Sequence, residues 1–496
     1  MTARAGTIGE MFQVACARHA DRDAIIFREL TWTYAELGAH AFAGCQLMAG
    51  LAGDQPKRVA IIGANDPGYV VGYFAAQLMG AVTIEIGRDE ALDVVLSTLA
   101  TSQAELVLTD RLDVLAAATI PATGFEQFLE GCAQLRAPHD HQGAVSTDSS
   151  QVASVVYTSG TTGAPKGVML SHANVLFVVY AVCAYLELSA QDRYALVLPI
   201  SHTYGKSNLL STLASGGAVV FVENPQNTAA FYGRIMQQRC TIMSVVPFHL
   251  NVLARMGLPD AVDLSALRAI TTSGGPLPES AVRAVGTLLP GARLYSMYGL
   301  TESSTRVTYL PPELLLSKLG SVGRPLPGVR IEIRSDAGEV LPPGVAGHVY
   351  VGGPNVMQGY LGDAQLTAET LVSGWLNTGD VGYVDSDGCL FLTGREKEII
   401  KVAGERISPA EIEEVLLRHP AVAEAAAVGV PDTLLGETVW AYVKRSGATA
   451  DFGDVAAFCA AHLSAHKVPR RFIEIDQIPR TPTGKIRRHL LRSALA

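Results

Sequence analysis

Through the first three-quarters of the chain, short apolar runs alternate with stretches of helical period. Residues 58–65 (RVAIIGAN) read as a buried strand that ends in a turn. A helical pattern follows over residues 68–80 (GYVVGYFAAQLMG), and residues 81–86 (AVTIEI) return to strand. The runs at 105–110 (ELVLTD), 194–200 (YALVLPI), 218–223 (AVVFVE) and 241–247 (TIMSVVP) repeat the theme. Nearly continuous apolar strands alternating with helices predict parallel sheets covered by helices. Residues 133–150 are polar and turn-rich, which predicts a loop or linker.

After about residue 320 the texture changes. Residues 328–353 hold short strand-like runs, Asp336-Ala337-Gly338 and Pro342-Pro343-Gly344 turns, and no helical period. That pattern predicts antiparallel sheet, a small barrel. Residues 382–395 read as a hairpin turning at Asp387-Gly388. The last hundred residues carry a pattern of their own: helix 408–419, strand 422–432, strand 437–445, helix 454–463 and a basic tail. They predict a separate small α+β domain.

Composition narrows the function. A chain of 496 residues exceeds one core, so two or more domains are expected. Hydrophobic residues make up 48% and charged residues 17%, which is globular. The net charge of −9 argues against a general affinity for nucleic acid or for an anionic membrane surface. Seven cysteines lack CxxC spacing, so neither a zinc site nor a disulfide framework is suggested. The N-terminus does not have the order of a secretory signal. The most apolar run, residues 69–86, is interrupted by Gly72, Gly80 and Glu85, and reads as buried core rather than a membrane span. A cytoplasmic protein with no nucleic-acid or membrane partner is expected, as a monomer or a homodimer.

The chemistry is concentrated in VVYTSGTTGAPKGVMLSH, residues 155–172. A strand-like run enters a segment of small and hydroxylated residues, Thr158, Ser159, Gly160, Thr161, Thr162 and Gly163, and then Lys166. Glycines let backbone amides converge on one anion, and the lysine adds a fixed charge. The order is not that of the Walker loop, because Lys166 follows Pro165 and precedes Gly167. A surface turn is the plain alternative.

At this stretch the chain resembles the adenylate-forming (AMP-binding) superfamily, of the acyl-CoA synthetase or carboxylate–thiol ligase type. Further segments follow in the family's order: LPISHTYG (198–205), TSGGPLP (272–278), YGLTES (298–303), NTGD (377–380), GREKEIIKVAGERISPAEIEEV (394–415) and PRTPTGKIRR (479–488). The resemblance implies an α/β fold whose large N-terminal domain, residues 1–395, contains two parallel-sheet subdomains and a small antiparallel barrel. A smaller mobile α+β domain, 396–496, would turn on a hinge at Lys397.

It also implies ATP, Mg²⁺ and an acceptor thiol, either coenzyme A or phosphopantetheine on a separate acyl carrier protein. A carboxylate is a poor acylating agent, and conversion to acyl-AMP with loss of pyrophosphate supplies a leaving group. Two anions must meet, so catalysis is positioning and charge stabilisation. By resemblance, Lys166 and its loop cradle the β- and γ-phosphates. Glu302 is the Mg²⁺ ligand, and Thr301 contacts the α-phosphate. Tyr298, Gly299, Gly274, Gly275 and Pro276 receive the adenine. Asp380 and Arg395 hold the ribose hydroxyls, although a helix cap or a turn would also use an aspartate in TGD. Lys485 bridges carboxylate and α-phosphate. Lys401 serves the second half-reaction, beside Gly404, which leaves room for the pantetheine arm. Without the resemblance, the residues around Lys485 are only a basic tail.

The acid pocket is expected at His202, Tyr204, Thr305 and Arg306. No acidic residue lies between Tyr194 and Phe221, which disfavours an α-amino acid substrate. Arg306, with Lys206 as a second cation, is expected to meet a polar or anionic group on the acid. The alternative is that both point outward or pair with protein carboxylates. Other readings are an amide-forming or luciferase-like adenylating enzyme, or a silent nucleotide-binding relative. Retention of Lys166, Glu302, Asp380, Arg395 and Lys485 counts against silence.

Overall fold

The computed structural model describes residues 5–135, 145, 148–158, 165–223, 228–259, 261–403, 405–447, 451–480 and 486–493. Two sheets of parallel strands carry most of the chain. The first runs in the order Gly359–Tyr360, Lys166–Ser171, Val152–Thr158, Val82–Ile86, Arg58–Ile62, Leu106–Thr109, Ala122–Gly124. Its strands from Val152–Thr158 onward are parallel, and the first two are antiparallel additions. The second has parallel strands in the order Arg293–Tyr298, Ala269–Thr272, Ile242–Val245, Arg193–Leu196, Ala218–Phe221, Asp23–Phe27. Fully buried strands such as Leu106–Thr109 and Ala218–Phe221 explain the unbroken apolar runs.

The antiparallel part grows out of the second sheet. From Arg293–Tyr298 the pairing continues through Thr308–Leu310, Ser321–Pro325, Leu390–Arg395, Trp375–Val384 and Gly347–Gly352 to Arg330–Arg334. The hairpin expected at Asp387-Gly388 forms, with Gly388 at φ +79°.

The most apolar run divides as its interruptions suggest. Asp66 caps a helix, Pro67–Leu78, by accepting from the Gly68 amide, and every residue of that helix is buried. A helix apolar all round belongs inside a protein. Its residues share one core with side chains of both sheets, among them Ile61 and Leu196. Among the described residues no helix is long and apolar enough to cross a membrane.

Glu85 is the exception in that core. It lies on Val82–Ile86 of the first sheet, and Lys206 reaches it from the helix Thr203–Ala214. Lys206 Nζ stands 2.6 Å from Glu85 Oε1, with the two side chains 3% and 0% exposed. Thr83 donates to the same oxygen at 2.9 Å. Lys206 therefore pairs with a protein carboxylate and is not the substrate cation considered above. The helix containing Tyr204 is tied through this pair to a strand of the other sheet.

The C-terminal part has its own sheet, ordered Glu405–Ile407, Ile400–Val402, Gly436–Arg445, Val422–Asp432, with Arg471–Glu474 added parallel to Gly436–Arg445. Helices Pro409–Leu417 and Phe452–His462 contribute to a separate core there. The tail is more than solvated charge. Arg488 forks onto Glu413 at 2.7 and 2.9 Å and reaches Glu398 at 2.7 Å. Burial pushes the Glu413 carboxyl above its ordinary range, against the pull of Arg488.

Removing one member of a buried ion pair strands the other charge, at a cost of about 3–5 kcal/mol. Lys206→Met is therefore expected to lower unfolding stability by that order, and Lys206→Met with Glu85→Met to recover most of the loss. Denaturant unfolding of the single and double variants checks this; a single variant as stable as wild type would contradict it.

Candidate active site

The hairpin made by Val152–Thr158 and Lys166–Ser171 places Thr158 opposite Lys166. Ser159, Gly160, Thr161, Thr162 and Gly163 fall outside the described residues. The Lys166 ammonium stands 5.6 Å from the centre of the Tyr360 ring, within reach of a cation–π contact. Tyr360 is placed there because Gly359–Tyr360 pairs with the hairpin's second strand. Its hydroxyl donates to Glu302 Oε1 at 2.9 Å. Tyr360 thus joins two expected site residues. Sequence reasoning missed it, since the two-residue strand carrying it has no periodicity to read.

Glu302 sits in a turn that the chain enters at Gly299. A Cβ at Gly299 would lie 2.0 Å from the Thr305 carbonyl oxygen, so only glycine permits this fold-back. Thr301–Ser303 form a short 3₁₀ turn. Ser304 and Thr305 follow at φ +51° and +74°. A β-branched residue in that region is strained, by about 1–3 kcal/mol, and such strain clusters at functional sites. The fold-back presents Thr301 and Glu302 at the end of the Arg293–Tyr298 strand and sends Arg306 inward.

A second group forms around Asp380. The Tyr298 hydroxyl donates to Asp380 Oδ2 at 2.5 Å, and Arg395 Nε stands 3.0 Å from Oδ1. Asp380 and Arg395 face each other across adjacent strands. Asp380 is therefore a strand residue and does not cap a helix. Burial, then the charge of Asp380, holds the Tyr298 hydroxyl well above its ordinary pKa. Arg395 is raised chiefly by Asp380, with Glu302 also contributing. Tyr360 is raised by burial and by Glu302, with Arg395 opposing. The Glu302 and Asp380 groups thus share one electrostatic field.

Gly274, Gly275 and Pro276 form an exposed turn just after Ala269–Thr272, with Gly274 at φ +96°. Ligands of parallel α/β sheets bind beyond the C-terminal ends of the strands, where this turn lies. His202 precedes the helix Thr203–Ala214 and is half-buried. The Tyr204 hydroxyl is 2.9 Å from Thr271 Oγ1, and Arg306 Cζ lies 4.4 Å from the centre of the Tyr204 ring. The histidine motif and the residues after YGLTES therefore meet, without Lys206.

Lys401 and Lys397 are exposed. The Lys401 amide donates to Glu437 at 2.7 Å, which orients the backbone of its strand. Gly404 and Lys485 lie outside the described residues. The flanks of Lys485 are fixed by the bridge between Arg480 and Ile486 and by Arg488. Among the described residues, no group of three or more His, Cys, Asp or Glu is placed to hold a metal. Glu302 fits magnesium in another way. One of its oxygens takes the Tyr360 hydroxyl, leaving the other for a cation that completes its shell with phosphate oxygens.

Comparison with known proteins follows this geometry. The family model described as AMP-binding enzyme matches residues 12–361, and the model described as AMP-binding enzyme C-terminal domain matches residues 411–485. The chain is 33% identical over 475 residues to the 2-succinylbenzoate–CoA ligase of Bacillus cereus, covering 95% of each. It is 33% identical over 500 residues to the indoleacetate–CoA ligase of Aromatoleum aromaticum, covering 97% of each. The o-succinylbenzoate CoA synthetase of Bacillus subtilis, solved with the acyl-adenylate intermediate OSB-AMP, matches with a TM-score of 0.88 and 29% identity. That match covers 97% of this chain and 98% of the other. The same enzyme has been solved with ATP and magnesium ion.

If Tyr360 holds Glu302 for a metal–nucleotide complex, Tyr360→Phe should weaken MgATP binding about tenfold, as expected for losing one hydrogen bond to a charged group. Calorimetric titration checks this; unchanged affinity would contradict it.

Proposed function

Because the chain belongs to the AMP-binding enzyme family, we propose that it joins an organic acid to the thiol of coenzyme A through an acyl-adenylate. It is an AMP-forming acid–thiol ligase that uses ATP and Mg²⁺. The observation that carries the proposal is the meeting of Lys166, Tyr360 and Glu302 with Tyr298, Asp380 and Arg395 at one sheet end, in a chain matched along most of its length.

In this reading the segment from Thr158 to Gly163 cradles pyrophosphate with backbone amides and hydroxyls, and Lys166 supplies the fixed charge. Glu302 would hold Mg²⁺, which when bound neutralises phosphate oxygens. Asp380 and Arg395 take the ribose hydroxyls. Tyr298, its hydroxyl fixed on Asp380, offers its ring beside Gly299 to the base, opposite the turn Gly274–Pro276. Thr301 contacts the α-phosphate. The acid enters past His202, with Tyr204 and Thr305 along its wall. Its carboxylate oxygen attacks the α-phosphorus, and pyrophosphate departs. Lys485 lies between the two reacting anions and lowers their repulsion.

The second step presents a different face. The chain divides into 1–395 and 396–496, and Lys397 is the hinge. Rotation withdraws Lys485 and brings in Lys401 and Gly404, beside which the thiol reaches the acyl carbon; AMP leaves. Coenzyme A is the acceptor we favour, since both curated relatives above are named as CoA ligases.

Acid-dependent exchange of pyrophosphate into ATP tests the first step. Lys485→Ala is expected to lower exchange by about a hundredfold or more, the scale of one lost electrostatic contact in a transition state. It should still pass a synthetic acyl-adenylate to coenzyme A. Lys401→Ala should show the reverse pattern. Equal loss of both half-reactions in both variants would contradict the two-face reading.

A further inference from the structure

Arg306 is the largest fully buried side chain of the molecule, at 1% exposure. A guanidinium stays protonated in a protein, so it carries its charge into the interior. Other sheltered arginines of this chain have carboxylates: Arg488 has Glu413 and Glu398, Arg268 has Asp192, and Arg334 has Glu332. Arg306 has none among the described residues. Its hydrogen bonds go only to neutral acceptors: the Tyr185 hydroxyl at 3.3 Å, Thr305 carbonyl oxygen at 3.2 Å, Thr305 Oγ1 at 3.3 Å and Asn208 Oδ1 at 3.4 Å. All are at or beyond the long end of the usual range. The Tyr204 ring at 4.4 Å adds the negative face of an aromatic.

A second, independent observation lies beside it. Asn208 is 1% exposed, and its amide nitrogen Nδ2 has no acceptor. A buried cation without a counter-charge and a buried donor without an acceptor are each costly. Here they share one spot, since Asn208 Oδ1 is an acceptor of Arg306. Both lie in the acid pocket: Asn208 on the helix that follows His202, Arg306 on the fold-back that carries Glu302. One anion would satisfy both. Lys206, the other cation nearby, is neutralised by Glu85 and leaves Arg306 as the receptor.

We infer that Arg306 and Asn208 form a receptor for a second carboxylate on the acid, so that the ligase activates dicarboxylic acids at the carboxyl remote from Arg306. This rests on the adenylation reading above. The neutral surroundings fit a reversible ligand site: a resident carboxylate would close the receptor, whereas hydroxyls and an aromatic face hold the guanidinium in place and leave its charge unanswered.

The test is pyrophosphate exchange by the full chain with matched pairs, glutarate against valerate and 2-carboxyphenylacetate against phenylacetate. Wild type is expected to favour the diacid of the preferred pair in kcat/KM by about a hundredfold or more, the scale of a buried charge left unpaired. Arg306→Met should collapse that diacid-to-monoacid ratio, and Arg306→Lys should retain part of it. The apo melting temperature of Arg306→Met should not fall, because an uncompensated charge is removed; that readout separates a receptor from a structural arginine. If wild type prefers the monoacids, the inference is overturned while the adenylation reading stands. An unaltered ratio in Arg306→Met also overturns it. Absence of exchange with every acid overturns the adenylation reading, and this inference with it. The wild-type comparison needs no variant to fold.

Discussion

One carboxylate holds the site together. Asp380 takes the Tyr298 hydroxyl on one oxygen and Arg395 on the other. Tyr298 ends the last parallel strand of the second sheet, whereas Asp380 and Arg395 belong to the antiparallel strands that continue it. The contact fixes the angle between the two parts at the place where a nucleotide must lie. Tyr360 does the same between the first sheet and Glu302. Three structural units are thus pinned at one point by two tyrosine hydroxyls on two carboxylates. Hydrogen bonds to charged acceptors are among the stronger ones, and partial burial strengthens them further.

The same region departs from the rules the rest of the fold follows. Thr305 holds a left-handed backbone, Arg306 is buried without an anion, and Asn208 keeps an unused donor. Away from the site such departures are compensated. Lys206 and Glu85 are buried together, and Arg488 is met by two glutamates. Local inconsistency confined to a pocket is what a binding site shows before its ligand arrives. The two buried cations near Tyr204 illustrate the difference: they are close in sequence and structure, yet one is answered within the protein and the other is not.

The strands and helices of the two parallel sheets were legible in the sequence because each strand is buried on both faces and reads as an unbroken apolar run. The C-terminal α+β pattern was legible for a related reason, since each element there has a clear period and a clear end. What could not be read was pairing at a distance. Glu85 interrupts an apolar strand, and nothing local says that its partner lies on a helix more than a hundred residues on. Tyr360 sits in a two-residue strand whose place is set by the hairpin it joins. Asn208 looks like an ordinary polar helix residue until its burial is seen. The motif residues were recognised by order and spacing, but the fold was needed to show which of them touch: Asp380 with Tyr298, and Arg306 with Tyr204. Arg488, read as part of a basic tail, is an internal clamp.

The central claim is that these side chains hold ATP so that a carboxylate oxygen attacks its α-phosphorus. Isotope transfer tests this most directly. With the acid labelled with ¹⁸O in its reacting carboxyl group, turnover in the presence of coenzyme A should leave one labelled oxygen in each AMP formed, because thiol attack breaks the acyl–oxygen bond and not the phosphorus–oxygen bond. Label recovered in pyrophosphate, or AMP without label, would contradict the account.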